Sequence, residues 1–195
     1  MITTLDDALA DATARLQQAA RDRGSPMHVP VVGTADGDLR MMVLRDCTDG
    51  AALLRFHTDA RSPKALAIGR GAPVSVLAFD PAAKVQIRLR GTGRIEAAGP
   101  IADAAWAQAS EYARRCYLAE AAPGTPVAAP TSGLAAAVEG IRPDEQQLAP
   151  ARASFAVLLV EPQQLDWLYL AHDGHRRAQF TRDAAGHWRG TWVVP

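Results

Sequence analysis

Val85-Gln86-Ile87-Arg88-Leu89-Arg90-Gly91 decides the fold class, because Val85, Ile87 and Leu89 alternate with Gln86, Arg88 and Arg90. A period of two is the signature of a strand with one apolar and one polar face. Gly91-Thr92-Gly93 then predicts a bend or bulge in a curved sheet. Upstream, Pro73 to Phe79 is apolar and β-prone, and Ala51 to Thr58 places Leu54 and Phe56 in alternation with Arg55 and His57. Further upstream, Met27 to Thr34 and Asp38 to Arg45 flank Ala35-Asp36-Gly37, whose Asp-Gly pair tolerates the positive φ of a tight turn. A hairpin is expected there, with meander pairing to the following strand.

The helices are fewer and short. Thr3 and Thr4 before Asp6 and Asp7 give an N-cap and an acidic first turn, and Leu5, Leu9, Ala12 and Leu16 repeat at helical spacing up to the stop at Gly24-Ser25-Pro26. Ser62-Pro63 is a second helix start, ending near Gly69-Arg70-Gly71. Pro100 to Leu118 reads as one helix with Ile101, Ala105, Ala109, Tyr112 and Cys116 on one side. Ala121 to Gly133 reads as a loop, Leu134 to Val138 as a short helix, and Arg142 to Pro150 as a polar connector. Ser154 to Val160 and Gln164 to Leu170 read as strands interrupted at Glu161-Pro162, and His175 to Thr181 with His187 to Val194 as a closing hairpin.

Six or seven antiparallel strands with peripheral helices make the chain mainly β, an antiparallel, Greek-key-type β-barrel in which closure removes exposed edges. With 195 residues, 48% of them apolar, the chain is expected to form one domain over 1–195. Its parts are an N-terminal helix over 1–24, a barrel core over 27–96, a helical and loop insertion over 100–150, and C-terminal strands over 153–195.

Twenty-one basic residues balance twenty-one acidic ones, so no overall field draws in nucleic acid or an anionic membrane. Cys47 and Cys116 stand far apart without a CxxC pair, and the histidines lack metal-ligand spacing, so no metal is expected. The sequence has no signal-peptide pattern and no long apolar run, which points to a cytoplasmic protein without a membrane span. There is no GxGxxG fingerprint, Walker loop or GxSxG motif.

The chemistry-bearing residues cluster between Arg40 and Gly91. A phosphate monoester needs convergent Arg and Lys donors, hydroxyls and backbone amides. Arg40, Arg45, Arg55, Thr58, Ser62 and Lys64 supply these types at strand ends and one helix start. Lys64 in a first helical turn opposes the helix dipole unless an anion is bound nearby, which makes its position informative.

The ordered set Arg40 to Arg45, His57-Thr58, Ser62-Pro63-Lys64 and Gln86 through Gly91, followed by a Trp-containing hairpin ending in Pro195, resembles the pyridoxamine 5′-phosphate oxidase-like family of FMN-binding split barrels. The resemblance is clearest from Leu39 to Glu96. It implies FMN as cofactor, with Arg40, Lys64 and Ser62 toward the phosphate. Met41 and the Val43-Leu44-Arg45 backbone would lie along the isoalloxazine, with His57, Thr58 and Gln86 as further contacts. It also implies a homodimer with flavin at the subunit interface, completed by Trp167 and Arg177 of the other subunit. Arg45 is then the residue to hold an anionic substrate.

Two positions depart from the vitamin B6 oxidases. Pro63-Lys64 stands where Arg-Lys is usual, and Ala171 to Phe180 replaces an Arg-x-His-Asp-Arg stretch, with Gln179 in place of a flavin-contacting Arg. The function implied is an FMN-dependent oxidoreductase with a small-molecule substrate or electron donor. The alternatives are a genuine pyridoxamine or pyridoxine 5′-phosphate oxidase, or a non-catalytic flavin- or haem-binding protein.

Overall fold

The computed structural model describes residues 2–195. Helix α1 (Leu5–Arg21) starts where Thr4 accepts a hydrogen bond from Asp7 N, and it buries Ala8, Ala12, Leu16 and Ala19. The cap is worth about 1 kcal/mol. The hairpin of β1 (Val31–Thr34) and β2 (Leu39–Met41) forms as the sequence predicts, with Gly37 at φ +84°. β3 (Leu44–Cys47) pairs antiparallel with β4 (Leu54–Asp59), and α2 (Pro63–Ile68) follows, capped by Ser62 and ended by Gly69. β5 (Ala72–Asp80) and β6 (Val85–Glu96) form a long hairpin. Short helices α3 (Pro100–Gln108), α4 (Glu111–Arg115) and α5 (Glu145–Leu148) precede β7 (Phe155–Tyr169), β8 (Arg176–Arg182) and β9 (Trp188–Val193).

One mainly antiparallel sheet runs in the order β2-β1-β5-β6-β7-β4-β3, with β8 paired to β7 and β9 to β8. The chain divides into two compact units. The first comprises Met1–Phe56, Gly71–Gly93 and Leu159–Pro195, and the second His57–Arg70 and Arg94–Leu158. The first unit buries Leu16, Leu44, Leu54, Phe56, Ile87, Leu89, Leu159 and Trp167. The second buries Ile68, Ala102, Ala105, Leu148, Phe155 and Leu158. A fully buried aliphatic or Phe side chain contributes about 1.5–3 kcal/mol by transfer from water. Neither Cys47, buried in the first unit, nor Cys116, exposed in the second, is in a disulfide. No helix of the described residues is long and apolar enough to cross a membrane.

Several expected boundaries move, each for a local reason. The predicted three-strand meander does not form: Met42 N donates to Pro30 O and Leu44 N to His28 O in the register of the hairpin, but Pro30 has no N–H to return a bond, so Asp38 to Arg45 is divided into β2, which stays with β1, and β3, which pairs with β4. The strand order then sets β2 and β3 at opposite ends of the pairing path. At Gly91 the register with β5 runs unbroken, so there is no bulge. A Cβ there would lie 2.1 Å from Glu161 O and 2.7 Å from Pro162 Cα, so the glycine permits close backbone approach. The same contact explains why β7 passes through Glu161-Pro162 as one strand instead of two.

The helix expected from Pro100 to Leu118 breaks at Ala109, whose ψ of 138° is extended, and Ser110 caps α4 anew. Tyr112 and Cys116 are therefore exposed and not aligned with Ala102 and Ala105. Leu134 to Val138 forms turns, not a helix. The expected polar connector holds α5, nucleated by a capping box between Asp144 and Gln147. Nine strands form among the described residues, where six or seven were expected.

Candidate functional site

In the second unit, β4 ends and α2 begins within a few residues, and this brings the predicted hydroxyls of Thr58 and Ser62 together, with Lys64 two positions further on. Thr58 and Ser62 are both buried, with Thr58 Oγ1 3.3 Å from Ser62 Oγ. Ser62 Oγ donates firmly to Asp59 O at 2.7 Å and accepts from Ala65 N. Thr58 makes only a long 3.4 Å contact to the same carbonyl. Its proton is thus weakly committed, and redirecting it to an oxyanion costs little. Lys64, half-buried, lies in the first turn of α2. His57 packs edge-on against Phe155 at 5.0 Å, in a cluster with Trp106 and Tyr117. Arg61 grips the Asp59 carboxylate through Nε and Nη2 and donates to the carbonyls of Ala119 and Glu120.

In the first unit the predicted residues spread over both faces of the sheet. Register aligns Arg40 with Val32, Val76 and Leu89 on the core-facing side. Its guanidinium is engaged by the Asp38 carboxylate, Thr34 Oγ1 and Val32 O. The next row, Met41, Val31, Leu77 and Arg88, lies on the opposite side, which Gln86 shares. Arg40 and Gln86 are thus on different faces. Leu44 is wholly buried, while Val43 and Arg45 are half-buried. The β3–β4 register shifts between Leu44 and Asp46, so Arg45 occupies an irregularity that frees its side chain from strict alternation. Arg45 Nε and Arg55 Nε are buried without a hydrogen-bond partner. Trp167 is 1% exposed, and its indole N–H donates to Asp11 Oδ2 at 2.8 Å.

Arg177 belongs to a cluster that sequence reasoning missed. Asp166 Oδ2 accepts from Arg88 Nη2 at 2.7 Å, Arg177 Nη2 at 2.7 Å and Gln179 Nε2 at 2.9 Å. Burial pushes the Asp166 carboxyl up, but the hydrogen bonds from Arg177, Gln179 and Arg88 outweigh it, and the net pKa is below the usual aspartate value. The cluster borders a cavity of about 310 Å³ that is also lined by Arg90, Gln164 and Thr181. A signal was present: aspartate is depleted in strands, yet Asp166 sits between Leu165 and Trp167 in an apolar one. No cluster of three or more potential metal ligands occurs among the described residues.

The donor set at Thr58, Ser62 and Lys64 suits a phosphate, and the unpartnered Arg45 Nε suits a second anion. Comparison with known proteins gives these residues a context. Residues 12–97 match the family model described as pyridoxamine 5′-phosphate oxidase, FMN-binding domain. No curated protein matches. Among solved structures, a pyridoxamine 5′-phosphate oxidase-related FMN binding protein from Nostoc punctiforme is similar with 23% identity and a TM-score of 0.69, covering 100% of this chain and 98% of that one. PhzG from Burkholderia lata, solved in complex with tetrahydrophenazine-1-carboxylic acid, is 19% identical with a TM-score of 0.64, covering 98% and 90%. A general stress protein 26 from a Jannaschia species is 15% identical with a TM-score of 0.51, covering 84% and 79%. The fold is the split barrel of these proteins, and within it residues 12–97 are similar to the pyridoxamine 5′-phosphate oxidase FMN-binding domain.

Proposed function

We propose that the protein is an FMN-dependent oxidoreductase acting on a small molecule in the cytoplasm. The observation that carries this reading is the match of residues 12–97 to an FMN-binding domain, a stretch that contains Arg40, Arg45, Thr58, Ser62, Lys64 and Gln86. When bound, FMN supplies the hydride or electron transfer, and the protein supplies binding and orientation.

In this reading Lys64 neutralises phosphate charge, while Thr58 turns its weakly held hydroxyl proton toward a phosphate oxygen and Ser62 holds the turn in place. The resemblance also gives Arg40 a phosphate role, which would require its guanidinium to leave Asp38 and Thr34. Met41, Val43, Leu44, His57 and Gln86 serve as ring and ribityl contacts. Arg45 holds an anionic substrate or negative charge on the reduced ring, a role supported by its unpartnered Nε. Oxidation of pyridoxamine 5′-phosphate itself is the narrower form of the same reading.

A homodimer completes the proposal, with Arg177 contributed across the interface; Trp167, expected beside it, is enclosed in its own subunit against Asp11 and would support that edge from within. Leu39 and Met41 are about two-thirds exposed, and Leu77 and Phe79 lie on the same side of the β2-β1-β5 sheet, also exposed. Such an apolar strip on one sheet face is the kind of surface that pairing of two copies removes from water.

The test is direct. Purified protein is expected to be yellow, or to gain thermal stability with FMN, about 2.7 kcal/mol at a hundredfold excess over Kd. Lys64→Met should weaken that binding. Colourless protein with no FMN-dependent stabilisation would overturn the reading, and flavin that no electron donor reduces would leave a non-catalytic flavin-binding protein. Sedimentation as a monomer with flavin bound would remove the dimer from it.

A further inference from the structure

We infer that Arg61 is a positioning residue for the turn that carries Thr58, Ser62 and Lys64, and that through Arg61 the 119–133 loop fastens onto this turn and slows the loss of a phosphate held there. This role rests on the FMN reading above, and it adds a residue and a regulating segment to that site.

The loop holds itself together by little. Glu120 N donates to Gly133 O at 3.0 Å, which joins its ends in the manner of an Ω-loop. Thr125 folds back through its N and Oγ1 onto Ala122 O. From Pro123 to Ser132 every residue is exposed, so almost no burial keeps the loop down. Segments of this kind open locally at low cost while the rest of the fold stays intact.

What fastens the loop lies on the candidate phosphate turn, in the same compact unit. Arg61 Nη2 donates to Ala119 O at 2.9 Å and Nη1 to Glu120 O at 3.2 Å. Gly124 backs onto Pro63, where a Cβ would lie 3.6 Å from Pro63 Cγ. Arg61 and Pro63 flank Ser62, so both ties are made within the turn itself.

The other side of the guanidinium holds the Asp59 carboxylate, with Nε 3.0 Å from Oδ1 and Nη2 2.8 Å from Oδ2. Asp59 is only 8% exposed, and its backbone carbonyl takes the Ser62 hydroxyl at 2.7 Å and the Ser62 amide at 3.1 Å, and faces Thr58 Oγ1 at 3.4 Å. Arg61 therefore grips by its side chain the residue whose backbone sets both hydroxyls. All three guanidinium nitrogens are engaged, and only a planar fork meets a carboxylate and two carbonyls at once. When the loop opens, Arg61 loses two acceptors and its hold on Asp59 loosens. When a phosphate fixes the turn, Arg61 and the loop are fixed with it, and the two effects are one coupling read from either end.

The experiment follows hydrogen exchange at the Glu120 amide, whose bond closes the loop, in full-length protein with FMN, with riboflavin and without flavin. FMN is expected to slow exchange about tenfold, and riboflavin, which lacks the phosphate, to leave it unchanged. Arg61→Lys keeps the charge but not the fork. It should speed FMN release on dilution about tenfold, abolish the protection at Glu120 and leave riboflavin affinity unchanged. Glu120→Pro, at an exposed position, removes the closing N–H without touching Arg61; it should speed FMN release by itself and gives the reading if Arg61→Lys does not fold. Wild type that binds no flavin removes this role together with the FMN reading. FMN bound normally, with Glu120 exchange unchanged by it or release unchanged in the variants, overturns the role alone. Equal weakening of FMN and riboflavin by Arg61→Lys would make Arg61 a residue of the fold only, and overturns it too.

Discussion

Asp166 in the first unit and Arg114 in the second are both buried charges at the centre of a hydrogen-bonded group, yet they end in opposite states. Arg114 spends four of its five donors: Nε on Trp106 O, Nη1 on both Glu145 oxygens, Nη2 on Ala107 O, with its face 5.1 Å from the Trp106 ring. It closes the end of α3, satisfying carbonyls that the helix leaves open. Around Asp166 it is the acceptor that is spent, while the arginines keep donors in reserve beside a cavity. A hub whose donors are nearly all spent holds a fold together, whereas a rim with donors in reserve leaves room for another partner.

Four substitutions test that contrast. The largest effect is expected from Gly91→Ala, three residues from Arg88, because its methyl group would overlap the Glu161 carbonyl at 2.1 Å and force β6 away from β7. A loss of about 3 kcal/mol or more in chemical denaturation is expected. A fully stable variant would show that the strands do not approach as described.

Next comes Arg114→Met, which keeps the apolar stem over Trp106 and removes every polar contact. It should cost about 2–3 kcal/mol in chemical denaturation. A cost no larger than that of Asp166→Asn would break the distinction between the two clusters.

Asp166→Asn should cost about 1–2 kcal/mol at neutral pH. The pH dependence carries a sign. The Asp166 carboxyl titrates below its unfolded value of about 3.9, so its contribution is present above that pH and lost as pH falls through the folded value. Wild type should therefore lose stability on acidification below about pH 4 more steeply than the Asn variant. Parallel acid profiles would show that the carboxylate contributes no net stabilisation.

The smallest effect is assigned to Glu145→Gln. Its side chain is 76% exposed, so the ion pair with Arg114 is largely solvated and should contribute about 0.5 kcal/mol or less. A larger loss by thermal melt would mean that Arg114 depends on this charge as Arg88 depends on Asp166.

Much of this architecture was legible in the residues themselves. The Val85 to Leu89 alternation, the Asp36-Gly37 turn and the Ser62-Pro63 cap each act over a few neighbours, and each appears as predicted. What the sequence hid depends on partners distant along the chain. Gly91 looks like a bulge until Glu161 and Pro162 are set against it. Asp38 to Arg45 looks like one strand until Pro30, which has no N–H to give, is set opposite Met42. At the candidate site, the local Thr58, Ser62 and Lys64 group could be found from spacing, since the turn that joins them is short. Asp166 could not be matched to Arg88, 78 positions away, because no local pattern links a strand aspartate to its cations.

The two cysteines give the molecule a built-in pair of probes. Cys116, accessible in the second unit, should accept a maleimide dye at once, one per chain. Cys47, enclosed in the first, reacts only when that part opens, so the delay between the two labelling events times its opening without any engineered tag.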